Sequence, residues 1–560
     1  MVDHFPPAFI LIFGALLVPL LCGRLQAAYL LLLPVLGFVH LLGFADGAHW
    51  QVSVFDYTLT LVRVDKLSLI FGYIFHIAAF LSVIYALHVK DNTQHVAGLI
   101  YAGSAIGAVF AGDLITLFVY WELMAVASVF LIWSRRTGRA YAAGMRYLII
   151  QVGSGVLLLA GTLFHLRETG SIAFDFLGLD GPGTTLIFIA FGIKCAFPLL
   201  HSWLQDAYPE ATVTGTVFLS AFTTKLAVYA LARGFPGTEI LIPIGAVMAA
   251  FPIFYAVIEN DLRRVLAHSL NNQLGFMVVG IGIGTEMALN GAASHAVVHI
   301  LYKSLLFMSM GAVLYRTGTA NGSELGGLYK SMPCTTVFCI VGAASISAFP
   351  FFSGFVTKSM IVAAAADGHY VLPWLVLLFA SVAVYAGIKV PFFAFFAQDS
   401  GIRCKEAPLN MLVAMGLTAA PCILIGVFPK PLYDMLPYAV SYEPYTVGHV
   451  ITQGQLLLWS GLAFTLLMLK GVYPPELKAV NLDIDWVYRR LLPGVVRATV
   501  RAGGPVRDKV LGRVKAQIGA VIAGIYQVHG PQGMFARTWL TGSAVLVVMV
   551  LLGVCLIFYF

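Results

Sequence analysis

Residues 186–210 read LIFIAFGIKCAFPLLHSWLQDAYPE. Nearly a whole apolar span precedes Lys194, and Pro198, four residues later, disfavours a continuous helix. His201, Ser202, Gln205 and Asp206 then continue in polar character. A broken helix beside a buried amine is an arrangement by which transporters create a hydrated site at mid-membrane; an ammonium snorkelling to the membrane edge is the plainer alternative. The pairing recurs at 345–359, SISAFPFFSGFVTKS, where Pro350 and Gly354 interrupt a span just before Lys358. Such recurrence is the hydropathy-level trace of an internal repeat.

The rest of the chain places these breaks in a bilayer. Of 560 residues, 60% are hydrophobic and 11% charged, whereas a soluble domain carries about 25% charged residues. Apolar stretches near the roughly 20 residues that cross hydrocarbon follow one another, giving about sixteen crossings and an all-α polytopic membrane protein. The first stretch, 8–23, lacks a basic leading region and reads as a retained helix rather than a cleaved signal. Arg135, Arg136, Arg139 and Arg146 follow the fifth span, Arg263 and Arg264 the ninth, and Lys330 the eleventh. The positive-inside rule puts these loops in the cytoplasm and the N-terminus, 47–67 and 430–452 outside. The formal charge of +7 then reflects loops facing anionic lipid rather than nucleic acid.

Several chemistries find no support. Seven cysteines show no metal or iron–sulfur spacing, and neither a phosphate-binding glycine loop nor a nucleophile elbow occurs. No cofactor, metal site or catalytic chemistry of its own is expected. Residues 471–540 break the apolar pattern: after Glu476, Arg489, Arg490, Arg497, Arg501, Arg507, Lys509, Arg513 and Lys515 alternate with apolar residues. This suggests a basic amphipathic segment on the cytoplasmic membrane surface or, more plainly, a basic linker to the last helix.

Ionisable residues inside spans are costly and mark polar interior routes. Glu122 lies in GDLITLFVYWELMAVAS; Asp113, nine residues earlier, falls near the helix end. Lys225 sits in TGTVFLSAFTTKLAVYALARG with Thr223 and Thr224. His295, His299 and Lys303 recur at intervals of four in SHAVVHILYKSLLFMSMG, along one helix face. Two imidazoles and an amine in line form a proton relay, with satisfied core histidines as the alternative. Lys389 is nearer the cytoplasmic end and could be interfacial.

These stretches carry a resemblance. FVYWELMAVAS (118–128), MRYLI (145–149), FGIKCAFPLLHSWLQDAYPEA (191–211), NDLRRVLAHSLNNQLG (260–275), HAVVHILYKSLLF (295–307) and LGGLYKSMP (325–333) with 345–359 are similar to the antiporter-type subunits of multisubunit Mrp sodium/proton antiporters, respiratory complex I and membrane-bound hydrogenases, the Mrp D-type subunits above all. The resemblance implies two inverted five-helix repeats, each with a broken helix, at 93–235 and 236–400. The N-terminal helices would occupy 1–92, C-terminal core helices 401–470, the basic segment 471–540 and a final helix 541–560. It implies proton transfer by Glu122, Lys194, Lys225, His295, His299, Lys303 and Lys358, with Glu122 and Lys194 as a gate pair. It further implies a multi-pass protein of a prokaryotic inner membrane, partnered by other subunits, lipids, protons and sodium ions. The expected function is proton translocation in a cation/proton antiporter, or alternatively proton pumping in a hydrogenase or complex I-like oxidoreductase. The sequence departs from the pattern at Arg263, Arg264 and His268, at Gln151, and beyond about residue 430.

Overall fold

Side-chain caps mark where several helices of this chain begin, among them Asp65, Asp113, Thr137, Asp261 and Thr285. The computed structural model describes residues 5–55, 57–382, 384–479, 481–531, 533 and 541–559, in two units, Met1–Asn481 and Leu482–Phe560. In the first unit α1 (Pro7–Leu17) and α2 (Gly23–Leu41) lead into a hairpin of antiparallel strands β1 (Gly47–Val54) and β2 (Tyr57–Val64) and then α3 (Lys66–Ala86). The expected helical membrane fold is the one observed, and the outer loop expected at 47–67 holds this one two-stranded hairpin among the described residues. The Trp, Val, Thr and Tyr residues of this stretch suit a half-exposed pleated surface. Asp65 opens α3 with a capping box to Ser68.

Two sets of helices follow in the same order. The first is α4 (Asn92–Phe110), α5 (Leu114–Trp133), α6 (Gly138–Thr169), the broken pair α7 (Pro182–Cys195) and α8 (Ser202–Ala207), then α9 (Val213–Ala221) and α10 (Thr223–Gly234). The second is α11 (Leu241–Ile258), α12 (Leu262–Ile283), α13 (Glu286–Thr317), the broken pair α14 (Pro333–Ile346) and α15 (Ser353–Asp367), then α16 (Val371–Ser381), α17 (Val384–Gly387) and α18 (Lys389–Pro391). Local chemistry repeats with the elements. Asp113 caps α5 and Asp261 caps α12, each forming an isolated antiparallel bridge, to Ala173 and Asn321. Thr137 and Thr285 cap the two long helices, and Gly170 and Gly318 end them in the left-handed conformation.

The two breaks share sequence and geometry: Ala196-Phe197-Pro198 and Ala348-Phe349-Pro350. Ala196 and Leu199 in one, Ala348 and Phe351 in the other, take positive φ of 62°, 68°, 54° and 69°. Such residues cost about 1–3 kcal/mol each and persist only where the surroundings impose them. Five crossings per set turn the second set upside down relative to the first. The inverted-repeat fold expected from the sequence is the one observed. α19 (Leu409–Val427), α20 (Lys430–Tyr433) and α21 (Val447–Leu469) complete this unit.

Among the described residues, eleven helices are long and apolar enough to cross a membrane, and Pro7–Leu20, Pro182–Cys195 and Pro333–Ile346 are shorter apolar helices. Hydropathy undershoots where polar residues face protein instead of lipid. α12 starts at Leu262, ahead of the expected 271, because its polar stretch from Arg263 to Gln273 is almost wholly buried. α6 and α13 likewise begin before the expected 145 and 293.

Hydrogen bonds and ion pairs sort the loops into two faces. Arg63–Asp175, Gly237 N–Ile281 O and Asn290–Tyr438 tie the hairpin, the loops before α7 and α11, the start of α13 and the segment before α21 into one. Gln26–Asn92, Arg136–Asp91, Arg139–Glu210, Asn260–Ser323 and Lys330–Asp399 define the other. The second face holds the arginine clusters and reads as cytoplasmic. The second unit contains α22 (Leu492–His529), with no buried side chain among those described, and α23 (Thr541–Tyr559). On α22, Val496, Val500, Val514, Ile518, Val521 and Ile525 share a stripe, with Arg497, Arg501 and Lys515 along one edge.

Candidate functional site

Five lysines are buried in the first unit, and four of them, Lys194, Lys225, Lys303 and Lys358, are held through neutral hydrogen-bond acceptors. Lys194 is the next-to-last residue of α7; its Nζ donates to the Trp121 carbonyl at 2.6 Å and lies 4.3 Å from the centre of the indole ring. The indole N–H donates to Ser154 Oγ at 3.0 Å, and Ser154 Oγ donates to the Ala190 carbonyl at 2.8 Å, locking α5, α6 and α7 together. Glu122 is the residue next to Trp121, so its carboxylate and the ammonium share one neighbourhood. The amine nevertheless bonds the carbonyl, while Glu122 Oε1 is buried without a hydrogen-bond partner. A β-carbon at Gly155 would overlap that oxygen. The missing side chain on α6 is therefore what admits the carboxylate.

Lys225 lies just past Phe222, where the helix is interrupted between α9 and α10. The interruption strips carbonyls of their helical donors, and Lys225 Nζ donates to one of them, Ser220 O. The face predicted on α13 is buried between α12 and α15. Lys303 Nζ donates to Ser269 Oγ at 2.7 Å. His299 and His295 have nearly parallel rings with centroids 6.1 Å apart. His295 Nδ1 contacts Thr357 Oγ1 at 3.0 Å, and its Nε2 lies 3.3 Å from the Tyr302 hydroxyl, which donates to Gln273 Oε1 at 3.1 Å. Thr357 adjoins Lys358, whose Nζ donates to the carbonyls of Ile346 and, at 2.9 Å, Ser381. Ile346 is the last residue of α14, so the break supplies that acceptor.

Between these groups stand buried polar atoms that no described protein atom satisfies. They include both amide atoms of Gln151, Gln205 and Asn271, Thr224 Oγ1 and both ring nitrogens of His299. Buried polar atoms normally find a partner, and ordered water supplies it where protein does not. The internal repeat adds meaning to Gln151. The interval that relates Asp113 to Asp261 also relates Tyr147 to His295, Gln151 to His299 and Gly155 to Lys303.

Asp113, Asp206, Glu210 and a set of arginines have structural tasks. Asp113 caps α5, accepting from Thr116 N, from Thr116 Oγ1 and from Thr60 N of the hairpin, each at 2.7 Å. Arg146 pairs with Asp206 at 2.7 Å, and Arg135 and Arg139 pair with Glu210, fastening the segment after the first break. Lys389 is fully buried instead of interfacial. It donates to the carbonyls of Ala256, Val257 and Glu259 and pairs with Glu476 at 2.9 Å. The acceptors at Trp121, Ser269 and Thr357, and the space at Gly155, carry no sequence signal of their own. Only the match of Gly155 to Lys303 across the repeat points to one of them.

The NADH:quinone oxidoreductase/Mrp antiporter transmembrane family model matches residues 111–384, which contain all seven residues of the expected line. The M subunit of the NADH-quinone oxidoreductase of Pseudomonas aeruginosa is 30% identical over 367 residues, 60% of this chain and 71% of that protein. The chain belongs to this NADH:quinone oxidoreductase/Mrp antiporter family. Within the family, the D subunit of the Na(+)/H(+) antiporter of Alkalihalophilus pseudofirmus is 29% identical over 59% of this chain and 71% of its own length. Hydrogenase-4 component B of Escherichia coli is 27% identical over 66% of this chain; the chain spans 63% of that relative's length. In three dimensions the family fold is met again in the structure of the Mrp complex from Dietzia sp. DQ12-45-1b, with a TM-score of 0.68 at 18% identity over 82% of this chain and 98% of the matched one.

Proposed function

We propose that this chain is the proton-translocating subunit of a multisubunit monovalent cation (sodium)/proton antiporter. Protons pass along a line made of Glu122, Lys194, Lys225, His295, His299, Lys303 and Lys358, and the segments 93–235 and 236–400 serve as two half-channels. The observation that carries this reading is the way the four lysines are held. Each bonds a carbonyl or hydroxyl rather than a carboxylate, so each gives up or takes a proton without breaking an ion pair. A structural lysine in hydrocarbon is instead pinned by an acid, since separating a buried pair costs several kcal/mol, about 3–5. The Na(+)/H(+) antiporter relative supports sodium as the coupled ion. Basic α22 acts at the cytoplasmic membrane surface. The relative from NADH-quinone oxidoreductase supports a second reading, a redox-driven pump; iron–sulfur subunits in the purified native complex would decide for it.

The test is cation-dependent proton flux in vesicles holding the complete complex. Lys194→Ala and Lys303→Ala each lower flux on the order of 100-fold, the scale of a lost positioned proton carrier. Unchanged flux in both, with the complex intact, overturns the proposal.

A further inference from the structure

Lys358 ends the line at a cavity of about 280 Å³ between α15, α16 and α21. Lys358 and Ser359 form its inner wall, and Tyr442, His449 and Gln453 its outer one. The outer wall belongs to the segment before α21 and to α21 itself, beyond the residues the family model matches. Asn290 fixes that segment to the non-cytoplasmic face through two hydrogen bonds with Tyr438. The Ser359 hydroxyl lines the cavity beside the Tyr442 phenol, and the volume is many times what one water needs, about 30 Å³. The space beside Lys358, Ser359, Thr452 and Gln453 has room for several waters.

His449 is placed for exchange with that water. Its Nδ1 stands 2.7 Å from the Pro444 carbonyl. A carbonyl only accepts, so Nδ1 carries the hydrogen and Nε2 is left with the lone pair. The imidazole stacks on Phe355 with centroids 4.4 Å apart and planes 20° apart. Phe355 and Lys358 share a face of α15 at helical spacing. The ring is half-buried, reaching both the cavity and the outside. Among the described residues, the ionisable groups about it include Lys358 across the cavity, and Tyr442, Tyr445 and Glu443 on the segment before α21.

Resting on the proton line above, we propose that His449 is the outer proton-exchange residue of this chain. Lys358 releases a proton to cavity water, His449 Nε2 accepts one from that water, and the imidazolium passes it to the outside. One proton leaves Lys358, one reaches the medium, and no electron moves.

Three measurements on the complete complex in oriented vesicles test this. His449→Ala and His449→Gln lower cation-dependent proton flux at least about tenfold. Imidazole added on the side of residues 430–446 restores flux in His449→Ala, and imidazole on the other side does not. In a background with Cys22, Cys334, Cys404 and Cys555 replaced by Ser, a membrane-impermeant thiol reagent on the outer side modifies Ser359→Cys. Normal flux in both His449 variants, a deficit that imidazole leaves unmoved, or an unreactive Ser359→Cys overturns the proposal. The thiol readout needs no transport, so it stands apart from failure of the proton line, which the Lys303→Ala flux reports.

Discussion

At the scale of residues, Gly155 is the most exposed to test. A glycine in a helix interior ordinarily weakens it by roughly 0.5–1 kcal/mol relative to alanine, so Gly155→Ala would stabilise α6 if nothing opposed the new methyl. Here the methyl would collide with Glu122 Oε1. The carboxylate is the end of a flexible side chain and swings aside, so the fold survives while Glu122 leaves its place beside Trp121. Gly155→Ala is expected to keep a Tm within a few degrees of the parent and to lower proton flux roughly tenfold or more, the scale of a displaced acid–base group. Gly153→Ala, with open space around its added carbon, keeps full flux. Equal flux in the two variants would show that Glu122 does not need this position. The charged half of this arrangement is legible in the sequence, because Glu122 and Lys194 stand out against apolar neighbours. The glycine that makes room is not, since nothing in a lone Gly says what fills the space beside it.

At the scale of elements, the breaks are legible and their fastening is not. Pro198 and Pro350 reveal where α7 and α14 stop, because proline disfavours continuing the helix. Hydropathy cuts α12 short because it cannot tell a polar residue facing protein from one facing water. The segment after α21 reads as the start of a surface extension, yet part of it enters the core. Glu476 pairs with Lys389, their side chains 6% and 0% exposed. Asn481 donates to Glu259 at 3.2 Å, and Lys478 pairs with Glu324. Burial raises the Glu476 carboxyl above its ordinary range against the opposing pull of Lys389, while Lys478 leads the contacts that hold half-buried Glu324 down to about 2. Lys389 caps α11 through three carbonyls that lack helical donors. Glu476→Ala removes that ammonium's ion-pair partner and is expected to destabilise by about 3–5 kcal/mol. Lys389→Met with Glu476→Leu recovers part of the loss. Thermal unfolding of the single and double variants in detergent measures this, and additive losses would rule out the coupling.

At the scale of the whole molecule, the faces assigned by contacts and those assigned by charge are independent and agree. Arginine and lysine counts place the loops after α5, α11 and α13 in the cytoplasm. Hydrogen bonds and ion pairs join those loops to one another without reference to a membrane. The agreement makes a prediction from native residues. Cys22 stands in the turn before α2, which Gln26 ties to Asn92 at 2.8 Å. Cys334 donates its backbone N–H to Glu406 at 2.8 Å, and Cys404 approaches Ser331 at 3.8 Å. All three lie on the face of the arginine clusters, and Cys22 and Cys334 are exposed there. A membrane-impermeant maleimide is expected to spare Cys22 and Cys334 in right-side-out vesicles and to react with both in inverted ones. Thr58→Cys, on the exposed strand β2, shows the opposite order. Labelling of Cys334 from the outside would invert the molecule, moving the cavity beside Lys358 to the cytoplasmic side and reversing the direction in which His449 exchanges its proton.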